Sequence, residues 1–189
     1  ISALGTVLFF FEIQAEIRWI LFVLAFITLI YSLPFKYLKL SFLDIRRIPG
    51  LKNALIAVSW TTVSLLIPHL LAQKDAPYLW LELIVRFIFI FAISIPFDIK
   101  DIDDDKLEGL KTIPVVLGEV KSTFLTTFLL ILFMLFSIVL YTNSNDITLL
   151  IAMTISGLFS IFVVNSKIAR RNKFYYPIIL DGAILVQGV

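Results

Sequence analysis

The 189-residue sequence contains no cysteine. Disulfides are thereby excluded, as are zinc and iron–sulfur centres built on thiolate ligands, and the redox compartment is unreadable. Charge is the second scarcity. Only 16% of the residues are Asp, Glu, Lys or Arg, against about 25% in an ordinary soluble domain, whereas 60% are hydrophobic. A soluble chain of this size would have to bury more apolar surface than it can enclose, so lipid must cover the rest. The net charge of +2 gives no ground for a nucleic-acid partner. No internal repeat or low-complexity segment is present. The sequence begins at Ile1 and ends at Val189, each within an apolar run, and reads as a piece of a longer protein. The opening run has no basic segment ahead of it, unlike a signal peptide.

What the chain has in abundance is apolar stretches of membrane length. A bilayer core takes roughly 20 helical residues, and runs of about that size occupy 17–33, 54–71, 79–97, 123–141 and 147–164, with partial runs at 1–11 and 177–189. They are apolar all round and lack the alternation of barrel strands. The expectation is an all-α, polytopic transmembrane bundle of about seven helices in a single domain. The charges sort by side. Lys36, Lys39, Arg46, Arg47, Lys52, Lys100, Lys106, Lys111, Lys121, Lys167, Arg170, Arg171 and Lys173 fall in alternate connections, thirteen of the sixteen basic residues. Arg18 and Lys74 fall on the other side and Arg86 within a span. The excess of positive charge places the first group in the cytoplasm.

The connection after the run 79–97 is the most informative. Asp98, Asp101, Asp103, Asp104 and Asp105 are five aspartates within eight residues. On a continuous helix, at about 100° per residue, Asp98, Asp101 and Asp105 fall within roughly 60° of one another; Asp103 and Asp104 point elsewhere. Three carboxylates on one face at a membrane edge repel strongly and call for a cation between them. Oxygen ligands without His or Cys suit Mg2+, which takes one or two carboxylates, waters and a substrate phosphate. Gly109 can end the helix, and Pro114 keeps it from resuming at once. The plainer alternative is a solvated acidic loop.

The run from Asp98 to Gly118, DIKDIDDDKLEGLKTIPVVLG, resembles the second aspartate-rich motif of the UbiA superfamily of intramembrane aromatic prenyltransferases. The motif reads D-x-x-D-x-x-x-D, then G-x-[KR]-T-x-P, met here by Asp98, Asp101, Asp105, Gly109, Lys111, Thr112 and Pro114. The resemblance implies a nine-helix fold of which this chain supplies about helices three to nine, and a further aspartate motif upstream. It implies Mg2+ on Asp98, Asp101 and Asp105, with Lys111 in the catalytic machinery and Thr112 at the substrate. It also implies a polyprenyl diphosphate donor, whose diphosphate leaves an allylic cation that alkylates an aromatic, quinone-precursor-like acceptor. The family's Tyr-Ser-x-Pro…Lys element has a looser counterpart in Tyr31, Pro34, Lys36 and Lys39, followed by Gly50, Lys52 and Asn53. Tyr31, Lys36, Lys39, Lys52 and Asn53 are the implied substrate-binding set, cations and helix-start amides being what a diphosphate needs. The expected setting is a bacterial inner membrane with the site toward the cytoplasm.

Other charged residues have simpler accounts. Glu82 and Arg86, one turn apart within a span, make a sufficient structural pair. Arg46 and Arg47 suit a diphosphate or an anionic lipid surface equally, and the cluster from Lys167 to Lys173 is most simply a topology anchor. Asp181 suits the start of a last helix, and His69 lies far from the aspartates. Competing functions fit less well. A CDP-alcohol phosphotransferase needs a D-G-x-x-A-R element that is absent here. A small transporter predicts polar or broken residues at the midplane of several spans, and apart from Glu82 and Arg86 the spans are apolar. A degenerate, non-catalytic relative is the reading if the upstream aspartate motif is missing from the full protein. A purely structural subunit leaves the aligned aspartates unexplained.

Overall fold

The structure is a computed structural model that describes residues 14–32, 48–73, 77–166 and 182. The partial runs 1–11 and 177–189 lie outside the described residues, as do Lys36, Lys39, Arg46, Arg47, Lys74, Asp181 and the basic cluster from Lys167. Within them the secondary structure is helical: α1 (Ala15–Ser32), α2 (Leu51–Ala72), α3 (Leu79–Lys100), α4 (Ile102–Glu108), α5 (Ile113–Leu117), α6 (Glu119–Asn143) and α7 (Ile147–Asn165). The helices α2, α3, α6 and α7 are each long and apolar enough to cross a membrane, and α1 covers the run expected from residue 17. The chain is an integral membrane helical bundle.

The central helix is α3, which packs against α2 on one side and α6 on the other, with α7 outside α6. Val85, Phe89, Ala92 and Ile93 of α3 are buried with Leu130 and Phe133 of α6 and Met153 of α7. The rings of Phe89 and Phe133 stand 4.8 Å apart, centroid to centroid. The packing of α6 inverts that of a soluble helix. Its buried positions include Ser122, Thr123, Thr126 and Ser137, while Phe124, Phe128, Ile131 and Leu135 face outward. Small residues let membrane helices approach closely, and their hydroxyls donate back to carbonyls one turn earlier, Thr126 to Ser122 at 3.0 Å and Ser137 to Phe133 at 2.8 Å. Gly157 of α7 marks the tightest approach: a Cβ there would stand 2.6 Å from Met134 Cγ.

Helix α2 carries a π turn at Thr62–Leu66, in which the Ile67 amide donates to the Thr62 carbonyl. Pro68 follows directly. A proline ring presses on the carbonyl four residues back and has no N–H to offer it, and widening the preceding turn relieves that contact. Long helices commonly absorb such a residue through a π-bulge.

The helix ends differ from the sequence expectation, and the differences matter. Helix α2 starts at Leu51 instead of 54, so Lys52 and Asn53 belong to its first turn and not to the preceding loop. Helix α3 runs on to Lys100, which puts Asp98 inside its last turn. The helix then breaks at Asp101, whose φ of −97° and ψ of 13° leave the α region. Asp98 and Asp105 therefore sit on two helices, not on one continuous face. The connection to α6 contains two short helices. Gly109 ends α4 as expected, in the left-handed region at φ 73°. Its amide donates to Lys106 O and the Leu110 amide to Asp105 O, the two bonds of a Schellman cap. Pro114 does the opposite of what was expected of it: it lies in the first turn of α5, where a missing N–H costs nothing and the fixed φ favours helix.

Candidate active site

The start of α2, the end of α3 and the α4–α5 pair converge at one end of the bundle. Gly50 opens α2 at φ 77° without a side-chain cap, and a Cβ there would lie 3.2 Å from Ile113 Cδ1 of α5. That position needs glycine for both its backbone angle and the close approach. It seats the first turn of α2 against the segment that follows the aspartates.

Lys52 and Asn53 then reach across to α3. The Lys52 ammonium donates to Asp98 Oδ1 at 2.6 Å, and the Asn53 amide donates to Asp98 Oδ2 at 2.9 Å. The same amide donates to Ser94 Oγ at 3.0 Å, while the Ser94 hydroxyl donates to the Phe91 carbonyl at 2.8 Å. Asp98 is 1% exposed and Asn53 likewise. An ionised carboxylate only accepts hydrogen bonds, which fixes the orientation of the Asn53 amide. Its Oδ1 is left buried without a hydrogen-bond partner, a group in want of a water or a hard cation.

Asp105, one turn into α4, is buried as well. Thr112 donates to its Oδ2 at 2.9 Å; the Schellman cap turns the chain back so that the two can meet. Burial pushes the Asp105 carboxyl above the usual carboxylate range, and the nearby charges of Asp98 and Asp101 push the same way. The Thr112 hydrogen bond and the charge of Lys52 act against that shift. Asp105 thus lies within electrostatic reach of Asp98, Asp101 and Lys52 at once.

Two apolar grooves open beside this polar cluster. One, of about 230 Å³, lies between α2 and α3 and is lined by Lys52, Ile56, Trp60, Ile93, Phe97 and Asp98, among others. The second, of about 400 Å³, lies between α1 and α2, where Thr28, Tyr31, Lys52, Ile56, Ser59 and Trp60 contribute to it. Lys52, Ile56 and Trp60, spaced by four residues and hence on one stripe of α2, form the ridge common to both.

The structure therefore brings together Asp98, Asp105, Lys52, Asn53 and Thr112, with Tyr31 at the neighbouring groove. Asp101 is half-buried at the helix break, and Lys111, Asp103 and Asp104 are exposed. Lys106 pairs with Asp103 at 3.6 Å on the surface. Lys36 and Lys39 are outside the described residues. Ser94 is a member that sequence reasoning missed. Its only signal is a hydroxyl one turn before Asp98 in an otherwise apolar run. Glu82 and Arg86 line a separate void of about 10 Å³ with Tyr141 and Met153; Arg86 is twelve residues, roughly 18 Å of helix rise, from Asp98.

Among the described residues, no three of His, Cys, Asp and Glu stand together as a metal-holding group. A site for Mg2+ does not require three, since one or two carboxylates with waters and phosphate oxygens suffice. Asp98 and Asp105, within electrostatic reach of one another, and the unpartnered Asn53 Oδ1 are oxygen donors of the type that ion takes. A family model matches the chain over residues 1–175, that of the UbiA prenyltransferase family. No curated protein and no solved structure matches it.

Proposed function

The chain belongs to the UbiA prenyltransferase family, a family of intramembrane prenyltransferases, and from that premise we propose that it moves a polyprenyl group from a polyprenyl diphosphate to an aromatic, quinone-precursor-like acceptor, with Mg2+. The observation that carries the reading is the pair of buried aspartates, Asp98 and Asp105, with Asp98 and its partner Lys52 lining an apolar groove. An anionic head with a long apolar tail is the ligand such a site complements.

In this reading Asp98 and Asp105 hold the metal, with Asp101 at its edge. Bound there, Mg2+ would neutralise charge on the departing diphosphate. The Lys52 ammonium and the backbone amides of Lys52 and Asn53, in the first turn of α2 where the helix offers no acceptor, take the phosphate oxygens. Lys36, Lys39 and Lys111 are proposed to add positive charge around the same head group. Thr112 acts through Asp105, holding its carboxylate in place. The donor's allylic C–O bond breaks with the electron pair leaving on diphosphate. A new bond forms between that carbon and the acceptor, which gives up a proton. Ile56, Ile90, Ile93 and Phe97 line the groove beside Asp98 and keep water from the cationic carbon, and the faces of Phe97 and Trp60 can stabilise it. Tyr31 is assigned to the acceptor side, in the groove between α1 and α2. The basic residues at this end of the bundle support a cytoplasmic orientation, and we propose a bacterial inner membrane.

The test uses full-length protein in membranes. Transfer of labelled geranyl and longer diphosphates to a panel of acceptors is followed with Mg2+ or EDTA, beside Asp98→Ala and Asp105→Ala. Mg2+-dependent product that disappears in both variants is the expected result. Absence of both product and Mg2+-dependent diphosphate binding would leave a non-catalytic or transport role.

A further inference from the structure

Lys52 occupies an unusual place. A lysine in the first turn of a helix lies next to the positive end of the helix dipole, an unfavourable position. Its ammonium nevertheless folds onto Asp98 at 2.6 Å, although its side chain is 37% exposed and Asp98 is 1% exposed. Asp98 has Asn53 on its other oxygen, and Asp105 feels the charge of Lys52 as well as that of Asp98. The described residues thus supply one cation to two coupled, buried carboxylates. Mg2+ must touch carboxylate oxygens directly, at about 2.1 Å. A divalent ion and an ammonium on the same carboxylate repel one another in a poorly screened site.

We infer that Lys52 and Mg2+ are alternative occupants of Asp98: the lysine is its counter-ion until the metal arrives, and it then swings to the donor's diphosphate. This rests on the magnesium reading above and adds an order of events to it. Lys52 is a positioning residue before the metal arrives, holding the Asp98 carboxylate in place through its hydrogen bond, and a phosphate ligand afterwards. The partly exposed side chain has room to make the swing, whereas Asn53, fully buried and tied to Ser94, stays with Asp98 in both states. The metal's arrival and the freeing of a phosphate-binding cation become one event, so that the diphosphate pocket is completed only when the metal is present.

Two ligands separate this exchange from a merely structural ion pair, because they respond with opposite sign. Full-length protein in lipid nanodiscs is titrated by calorimetry, first with Mg2+ alone and then with inorganic pyrophosphate at saturating Mg2+. In Lys52→Met, with its competitor removed, Mg2+ should bind about tenfold more tightly, whereas pyrophosphate, with a cation lost, should bind about tenfold more weakly. Lys52→Arg should restore wild-type behaviour for both. If wild type binds Mg2+ and Lys52→Met binds it equally or more weakly, the exchange is wrong and the magnesium site stands. If wild type binds no Mg2+, the exchange fails together with the magnesium site. Should Lys52→Met not fold, the wild type alone decides. Acetylation of Lys52 by acetic anhydride, read by mass spectrometry, should accelerate severalfold on adding Mg2+, since the amine leaves its carboxylate. An unchanged rate overturns the inference.

Discussion

Asn53 holds two acceptors with one amide, Asp98 on one hydrogen and Ser94 on the other. Truncating it leaves both underused in a buried setting, so Asn53→Ala should cost about 1–3 kcal/mol of stability, seen as a lowered midpoint in thermal unfolding of the detergent-solubilised protein. Thr112 gives a cleaner separation of position from bulk. Thr112→Val keeps the shape and removes the donor to Asp105; prenyl transfer should fall about 10–100-fold, the usual toll for losing support behind a metal ligand, and Thr112→Ser should recover most of it. Much of this cluster was legible in the sequence, because Asp98, Asp105, Lys52 and Asn53 are charged or polar residues at the ends of apolar runs, where they have no packing reason to be. Ser94 was not, since a hydroxyl inside a membrane run usually bonds its own helix, as Ser137 and Ser160 do. Thr112 was expected at the substrate; in the structure its hydroxyl donates to Asp105.

The elements were legible to within a few residues, and the exceptions have a common cause. Periodicity assumes an uninterrupted helix, and neither the break at Asp101 nor the π turn at Thr62–Leu66 leaves a mark on hydrophobic pattern. The break moves Asp105 to its own helix and lets the Schellman cap at Gly109 bring Thr112 back to it. Glycines at these ends differ in what they bear. Gly109 has open space where a Cβ would go, while Gly50 faces Ile113 at 3.2 Å; both have positive φ. Gly109→Asn should therefore be nearly neutral. Gly50→Val should destabilise by about 1–3 kcal/mol from strain and contact and should also weaken pyrophosphate binding, because it pushes the start of α2 from α5. Trp60 is eight residues from Lys52, roughly 12 Å along α2. An isoprene unit adds four chain carbons, roughly 5 Å from bonds near 1.5 Å, so the tail should meet the indole at its second or third unit. Trp60→Ala should shift the preferred donor toward longer chains, measured as the ratio of product from geranyl and geranylgeranyl diphosphates.

For the whole molecule, composition alone specified the class. Sparse charge and abundant apolar runs require lipid, and the outward-facing Phe, Leu and Ile of α6 and α7 are surface that suits it. The collection of Lys52, Lys100, Lys106, Lys111 and Lys121 at one end adds a direction to the bundle. A single cysteine introduced at Lys121 should react with an impermeant maleimide only in inverted vesicles, and one at Asn145 only in right-side-out vesicles; these 189 residues contribute no thiol background of their own.

The bridge from Lys52 to Asp98 joins two different membrane helices. Helices α2 and α3 have 22 residues each and α6 has 25, or about 33 Å and 37 Å of length, against a hydrocarbon core of about 30 Å. Such helices accommodate the difference by tilting, and a change in tilt is expected to shift the first turn of α2 against the last turn of α3. Bilayer thickness is therefore expected to bear on the proposed transfer. In vesicles of graded acyl length, turnover should peak at one thickness and fall on either side, while the protein stays folded throughout.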